Sequence, residues 1–451
     1  MSITISKKDA KQFFSYLLII ILYRILLDVG YARIVRVIYA YTGFGSNYNS
    51  TLNCISWIIL LFFSIPTYGL YLNVYNKVSN EVMYIFYLIT VIPFTVMMAF
   101  GQLTIRFIIF YFLYWCSMYF FHWIFAYSKH GKLKIVTAKK LIGDQAIKVL
   151  CGFLCLVVVY VSGRYARFRL NFNLNIVYAL RMEAREFNMP TILKYFYSWS
   201  RFCIPIFMAY FIRRKNYIFA VTCFLIQMLS FGVEGAKTVF FTTVFVVIIG
   251  FIPSIDFKQI NRWGLIGITS IVGIGILLYL LFKNDMVFSL FTRRMMLLPI
   301  QLSQNYFDYF SKNPPDYFRA SFLRFLGFHT PYPNLPRIIG SVYYAAPNMN
   351  ANNGLFADAM SNLGLMGILV MPIILMFTLD LLDQSAKGLD TRIYISVALY
   401  LAMTLNDTFF FTVLITHGLL LIIIILGLMK RDEDLDKDVA EELEIRSRGY
   451  S

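Results

Sequence analysis

The chain has 451 residues, of which 59% are apolar and only 14% are charged, and its formal net charge is +17. A soluble domain has about a quarter of its residues charged and about half of them apolar. This composition excludes a disordered chain, a coiled coil, a soluble enzyme and a soluble nucleic-acid binder. It leaves a protein that crosses a membrane several times.

Apolar segments long enough to span a bilayer recur along the chain. A helix needs about 20 apolar residues to cross about 30 Å of hydrocarbon. By this criterion the sequence predicts an all-α integral membrane domain over residues 1–429 and a charged cytoplasmic tail over 430–451. About twelve transmembrane helices are expected, near residues 13–29, 54–75, 82–100, 104–126, 147–162, 191–211, 217–232, 238–253, 264–282, 354–379, 392–405 and 408–429.

Basic residues in the short connections predict the orientation. The basic connections are the N-terminus, the 127–148 loop, Arg213–Lys215, the 255–263 turn and Lys430–Arg431. An even number of spans puts all of them on one side, which is then the cytoplasm. The two long loops, 163–190 and 283–353, lie on the outer side.

Both outer loops are rich in arginine. Loop 163–190 has five arginines and no lysine, whereas the cytoplasmic 127–148 loop has six lysines and no arginine. The planar guanidinium group suits bidentate binding of phosphate or carboxylate. We therefore expect a shared anionic ligand, and contact with solvent or lipid headgroups is the alternative for each single arginine. The candidate binding residues are Arg164, Arg167, Arg181, Arg185, Arg293, Arg294 and Arg337.

Two segments of these loops have helical patterns. Residues 175–186 predict a short outer helix on which Glu183 is a candidate base, and an ion pair with Arg181 or a neighbour is the alternative role. Residues 287–310 predict an amphipathic helix pair that is broken at Pro299 and lies in the outer membrane interface. Arg293 and Arg294 on this segment are expected to face the lipid headgroups.

The segment from Phe328 to Gly340 (FHTPYPNLPRIIG) has three prolines in six positions, so it predicts a rigid extended stretch. It presents His329. A histidine is a natural acceptor for the proton of a hydroxyl group near neutral pH. His329 is thus a candidate catalytic base, and a solvated loop histidine is the alternative.

The start of the tenth predicted span (NANNGLFADAMSN) is the most distinctive motif. Asn352 or Asn353 is the expected helix N-cap, so the free N–H groups of this helix would face the arginine-rich loops. Asp358 shares a helical face with Gly354 and Asn362, which lie four residues before and after it. Because a carboxylate facing lipid is costly, Asp358 is expected in a wet cavity, as a further candidate for catalysis. The candidate binding residues in this motif are Asn350, Asn352 and Asn353.

Other features predict structural roles. The sequence has no nucleotide-binding glycine loop and no His/Cys spacing suited to zinc, so no cofactor and no metal site is predicted. Three close pairs are interpreted as packing or local ion pairs: Cys151 with Cys155, Glu234 with Lys237, and Arg24 with Asp28.

In their order, these segments resemble the bacterial O-antigen polymerases, the Wzy family of lipid-linked oligosaccharide polymerases. The resemblance covers about residues 175–380. It rests on VYALRMEAREF, YSWSRFCIPIFMAYFIRRKNYIF, GVEGAKTVFF, Arg293–Arg294, YFDYFSKNPPDYF, PYPNLPRIIGSVYY and NMNANNGLFADAMSNLGLMG, of which the last is the most specific. Family members more often have a Ser-Lys-Ser-type sequence where this chain has Glu234–Thr238, which leaves the role of Glu234 open.

The resemblance implies a GT-C-type glycosyltransferase of the bacterial inner membrane that acts at the periplasmic face. Such enzymes transfer a growing glycan from undecaprenyl pyrophosphate to an incoming lipid-linked repeat unit and are thought to need no metal. The implied partners are this donor and acceptor, membrane lipids and a chain-length regulator, and no nucleic acid. The alternatives are a flippase or exporter for the same lipid-linked sugar, and an O-antigen ligase. The gathering of polar residues at one face favours chemistry over transport.

Overall fold

The computed structural model describes residues 7–127, 140–170, 177–235, 237–252 and 256–431. All regular structure in these residues is helical, and they contain no strand. The expected all-α fold is confirmed. The predicted charged tail lies outside the described residues beyond Arg431.

The α-helices of the described residues are, in chain order, α1 (Lys7–Gly30), α2 (Arg36–Ile38), α3 (Ser50–Leu72), α4 (Val78–Phe86), α5 (Ile92–Phe100), α6 (Ile105–Tyr127), α7 (Lys140–Ala166), α8 (Val177–Glu186), α9 (Thr191–Arg213), α10 (Tyr217–Glu234), α11 (Lys237–Phe251), α12 (Phe257–Phe282), α13 (Leu298–Phe310), α14 (Leu335–Tyr344), α15 (Leu355–Leu363), α16 (Gly367–Ala386), α17 (Thr391–Asp407) and α18 (Leu419–Leu428). Wider π-helical turns connect or extend several of them, at Tyr31–Val35, Tyr87–Val91, Phe288–Leu297 and Thr412–Thr416. Tighter 3₁₀ turns lie at Ala40–Thr42, Phe322–Leu326 and Gly364–Met366.

Eight helical segments of the described residues are long and apolar enough to cross a membrane. They are Asp9–Ile38, Ser50–Leu72, Val78–Phe100, Ile105–Ala126, Gly143–Ala166, Tyr217–Glu234, Phe257–Phe282 and Leu355–Ala386. They coincide with eight of the twelve predicted spans. Their length and apolar character indicate a membrane-embedded protein.

The other four predicted spans also fall on helices, namely α9, α11, α17 and α18. Helix α9 has 23 residues but is too polar to count as a candidate span, and the other three have 17 residues or fewer. Seventeen helical residues are only about 26 Å long, which is less than the hydrocarbon thickness. The total of twelve spans therefore stays a prediction.

The segment Val78–Phe100, which contains α4 and α5, forms the centre of the helical body. Its most apolar window is 94% buried, whereas the corresponding windows of the other candidate spans are 28–50% buried. It packs against α3, α16 and α17. The outer helices expose apolar side chains such as Leu18, Ile58 and Leu156, as expected of a surface that contacts lipid.

The helical body has two polar ends. We call the end formed by the described parts of residues 163–190 and 283–353 the loop end. The two segments lie at the same end because both contact the helix ends at the α10–α11 turn, and the second also contacts the α5–α6 connection. We call the opposite end the tail end. It carries the connections near residues 73–77 and 387–390, and there Arg431 donates to the Ser385 carbonyl (2.9 Å).

Candidate functional site

The tenth predicted span begins with a short helix that is separated from the long one. Helix α15 ends at Gly364, whose φ of +56° lies in the left-handed region that favours glycine. Gly367 then packs directly against the Ala359 carbonyl, which leaves no room for a side chain. The segment is helical as expected, but it is broken at Gly364 and is not one continuous helix.

Asp358 fixes α15 to a neighbouring turn. Its Oδ2 accepts from the backbone N–H of Phe410 (2.7 Å), and its Oδ1 accepts from Asn362 Nδ2 (2.6 Å). The residue is only 1% exposed. The expectation of a carboxylate that faces a wet cavity is therefore wrong, because both oxygens are engaged and covered by protein. The expected shared face of Asp358 and Asn362 is confirmed.

Asn353 anchors the chain just before α15. Its Nδ2 donates to the Pro299 carbonyl (3.1 Å) and to Ser303 Oγ (2.9 Å) of α13. The N-cap of α15 is Gly354, with no side-chain cap. The predicted capping role of Asn352 or Asn353 is therefore wrong. Of the three candidate asparagines, Asn350 and Asn352 are exposed.

A small polar cavity lies at the start of α15. Its volume is about 20 Å³, which is room for one water molecule and too little for a sugar. Within the described residues, Tyr114 Oη and Trp115 Nε1 are buried without a hydrogen-bond partner, and both side chains line this cavity. The other lining residues are Phe86, Thr90, Tyr111, Pro299, Ser303, Asn353, Gly354, Leu355, Phe356, Leu405 and Asn406.

Arg293 is held in a half-buried position at the loop end. Its guanidinium carbon lies 3.9 Å from the centre of the Tyr39 ring, and its Nε and Nη2 donate to Ser289 Oγ (3.2 and 3.1 Å). No carboxylate of the described residues forms an ion pair with it. Burial lowers the pKa of Arg293; the nearby Tyr39 opposes this shift, and the positive charge of Arg294 adds to it. Asp285 belongs to the same cluster, because Tyr39 Oη donates to Asp285 Oδ2 and to Ser289 Oγ (3.0 Å).

The helix that carries Arg293 differs from the expected one. Residues Phe288–Phe310 are helical throughout, first as a π-helix and then as α13, and Pro299 is in the first turn of α13, where its missing N–H is tolerated. Most of α13 is buried, including Ile300 and Tyr306. The predicted break at Pro299 is therefore wrong, because the helix continues through it. The position in the membrane interface stays a prediction.

His329 is exposed on a fixed stretch of the second loop. The next residue, Thr330, donates its hydroxyl to Asp316, and Tyr332 Oη donates to the Pro314 carbonyl (2.7 Å). The backbone N–H of Asp316 in turn donates to Ser361 O of α15 (2.7 Å). His329 is thus tied indirectly to α15. The predicted extended stretch is wrong for residues 335–340, because α14 begins at Leu335 with Pro336 in its first turn. The other candidate, Arg337, lies in α14 and is exposed.

The first loop contains the expected short helix, which is α8. Glu183 forms an ion pair with Arg169 (2.9 Å), and both side chains are partly exposed. This agrees with the ion-pair role for Glu183, although its partner is on the preceding turn and not on α8. Arg164 and Arg167 are exposed. The side chains of Arg181 and Arg185 lie outside the described residues.

A charged pair that the sequence pattern did not predict joins α9 and α10. Glu234 forms an ion pair with Arg201. The expected local pairing with Lys237 stays a prediction, because the Lys237 side chain lies outside the described residues. Arg201 also lies over the rings of Tyr197 and Phe202, 5.5 Å from each centre. The signal in the sequence was Arg201 itself, because an arginine inside a predicted span needs a partner.

The expected pair of Arg24 and Asp28 is confirmed (2.8 Å). Arg24 is fully buried and also donates to Ser56 and Thr95, so this pair connects α1 with α3 and α5. No family model matches the chain, and no curated protein or solved structure is significantly similar to it.

Proposed function

We propose that the protein is a lipid-linked oligosaccharide polymerase of the bacterial inner membrane. It transfers the growing glycan from undecaprenyl pyrophosphate to an incoming repeat unit that is itself linked to undecaprenyl pyrophosphate. The proposal extends the resemblance of residues 175–380 to O-antigen polymerases. In it the loop end faces the periplasm, and both termini are cytoplasmic.

The observation that carries this proposal is the setting of Arg293. Its guanidinium is half-buried on Tyr39, lies beside Arg294, and has no carboxylate partner among the described residues. Asp285 bonds to Tyr39 and forms no ion pair with Arg293, so a bound anion would give this half-buried guanidinium a direct counter-charge. Pyrophosphate suits the bidentate guanidinium group. It is also the leaving group, so neutralising its charge lowers the barrier directly.

The acceptor side requires a base. The acceptor hydroxyl attacks the anomeric carbon of the donor glycan, the bond from that carbon to the pyrophosphate oxygen breaks, and the hydroxyl proton passes to a base. His329 is exposed to solvent, whereas both oxygens of Asp358 are engaged in holding α15. This favours His329 as the base and Asp358 as a residue that positions α15.

The length distribution of the surface glycan in a strain that lacks the gene tests the reaction. Single repeat units on the lipid core, with long chains restored by the intact gene, are the expected result. Complete loss of outer glycan would overturn the proposal in favour of a flippase or a ligase. Complementation with an Arg324→Ala variant, which alters an exposed arginine of the same loop, should also restore long chains. This control shows that a variant protein is expressed in the strain.

A further inference from the structure

Three cysteines converge between α7 and α10, away from the candidate site. Cys151 and Cys155 are one turn apart on α7, and Cys223 reaches them from α10. Their Sγ atoms all lie within 4.8 Å of one another, and those of Cys151 and Cys223 are 3.6 Å apart. Cys151 and Cys223 are buried, and Cys155 is partly buried.

The three sulfurs are close enough together to surround one metal ion. With a metal–sulfur bond of about 2.3 Å, three sulfurs around one ion lie about 4.0 Å apart. The sulfurs of Cys151 and Cys223 are 3.6 Å apart, so a bound ion would separate this pair by about 0.4 Å more. Zinc takes four ligands in structural sites. Cys203 on α9 is fully buried nearby, but its sulfur does not belong to the group.

We infer that Cys151, Cys155 and Cys223 form a binding site for one soft, thiophilic cation, with Cu(I) as the best fit. Thiolate sulfur selects Cu(I), zinc and iron–sulfur clusters, and structural zinc and the clusters take four protein ligands. This inference is independent of the glycosyltransferase proposal, because none of the three residues belongs to the loop end.

A cation in this group offsets negative charge that would otherwise be buried. The group lies inside the candidate spans Gly143–Ala166 and Tyr217–Glu234, where an uncompensated charge is costly. Cysteine ligates metal as the thiolate, so each coordinating thiol releases its proton to solvent. Cu⁺ offsets one of the resulting negative charges, and no electron is transferred. The bound ion connects α7 to α10.

Titration of the purified, reduced full-length protein in detergent tests the site. Cu(I) is delivered from a coloured chelator, and its transfer to the protein is followed by the loss of colour. We expect one ion per chain and a rise in the unfolding temperature when it binds. Cys151→Ser and Cys223→Ser should weaken binding by at least about tenfold, which is the lower end of the effect of losing even an outer-shell partner of a metal.

Cys203→Ser is the matched control, because Cys203 is equally buried but lies outside the group. It should keep the affinity of the original protein. The inference is overturned if the original protein takes up no Cu(I). It is also overturned if a variant with serine at all three positions, eluting as a single species, takes up as much as the Cys203→Ser variant.

Discussion

The charged groups at the two polar ends of the helical body have different surroundings. At the tail end, the buried Glu81 accepts hydrogen bonds from Asn73 (2.7 Å) and Asn261 (3.0 Å), which tie α4 to the end of α3 and the start of α12. Asp383 of α16 accepts from the backbone N–H of Ser79 (2.8 Å) and from its hydroxyl. Both carboxylates form hydrogen bonds that hold helices together.

At the loop end, several polar side chains are left accessible. His329, Arg337, Asn350 and Asn352 are exposed, and Arg293 is half-buried without a carboxylate partner among the described residues. In the proposed function, the accessible groups of the loop end meet the substrate. The hydrogen bonds of Glu81 and Asp383 stabilise the tail end.

The largest effect should come from Arg293→Ala. Loss of one positively charged group that stabilises the leaving pyrophosphate should lower the polymerisation rate by about 10²–10³-fold. Arg293→Lys should restore only part of it, because lysine cannot form the bidentate contact. Rates are measured on lipid-linked repeat units with equal amounts of protein. An equal loss of rate in the exposed control Arg324→Ala would contradict a specific role for Arg293.

His329→Gln should lower the rate by about 10²-fold, at the lower end of what a general base contributes. Glutamine keeps a polar side chain of similar size but cannot take up a proton near neutral pH. Single-turnover rates at saturating acceptor separate this loss from weaker binding. An unchanged rate would assign His329 to the solvated surface.

Asp358→Asn should shorten the chains and lower the rate by about tenfold, because one of two hydrogen bonds to a buried carboxylate is lost. Asp358→Ala leaves the Phe410 N–H without its acceptor and removes the side-chain acceptor of the Asn362 amide, so it should nearly abolish polymer. If folded Asp358→Asn protein is inactive at every pH while His329→Ala stays active, Asp358 is the base.

Glu81→Ala should act on stability alone. It removes one of two acceptors from each of the Asn73 and Asn261 amides, whose other N–H groups keep the Lys77 and Tyr71 carbonyls. The N–H groups left without an acceptor in a buried position cost about 1–3 kcal/mol. Glu81→Gln keeps an oxygen acceptor and should cost less. The unfolding temperature in detergent ranks the variants. A loss of rate per folded molecule in Glu81→Ala would contradict the assignment of the tail end to stability.

Glu183→Gln should have the smallest effect. Its partly exposed ion pair with Arg169 is of a kind that contributes about 0–1 kcal/mol, so the rate should stay within about fivefold. The same polymerisation assay measures it. A loss of 10²-fold or more would make Glu183 the base in place of His329.

The sequence predicted the features that depend on local pattern. Lipid requires long apolar helices, so the spans were visible in hydropathy, and Arg24 pairs with Asp28 because residues four apart share a helical face. The short helix before Phe187 was likewise visible in residues 175–186.

The predictions that failed depended on partners far away in the sequence. Asn353 has a typical capping position, but α13 offers it two acceptors about fifty residues earlier in the chain. Asp358 is held by Phe410, and the pair of Glu234 with Arg201 on another helix was not predicted. A single sequence gives the type of each side chain but not which distant helix will pack beside it.

The most direct test of the central claim is reconstitution of the reaction at the loop end. The purified protein is given synthetic undecaprenyl-pyrophosphate-linked repeat units in detergent, and the products are separated by length. A ladder of oligomers that disappears in Arg293→Ala and persists in Arg324→Ala is the predicted result. Unchanged single repeat units with the active, folded protein would contradict the account.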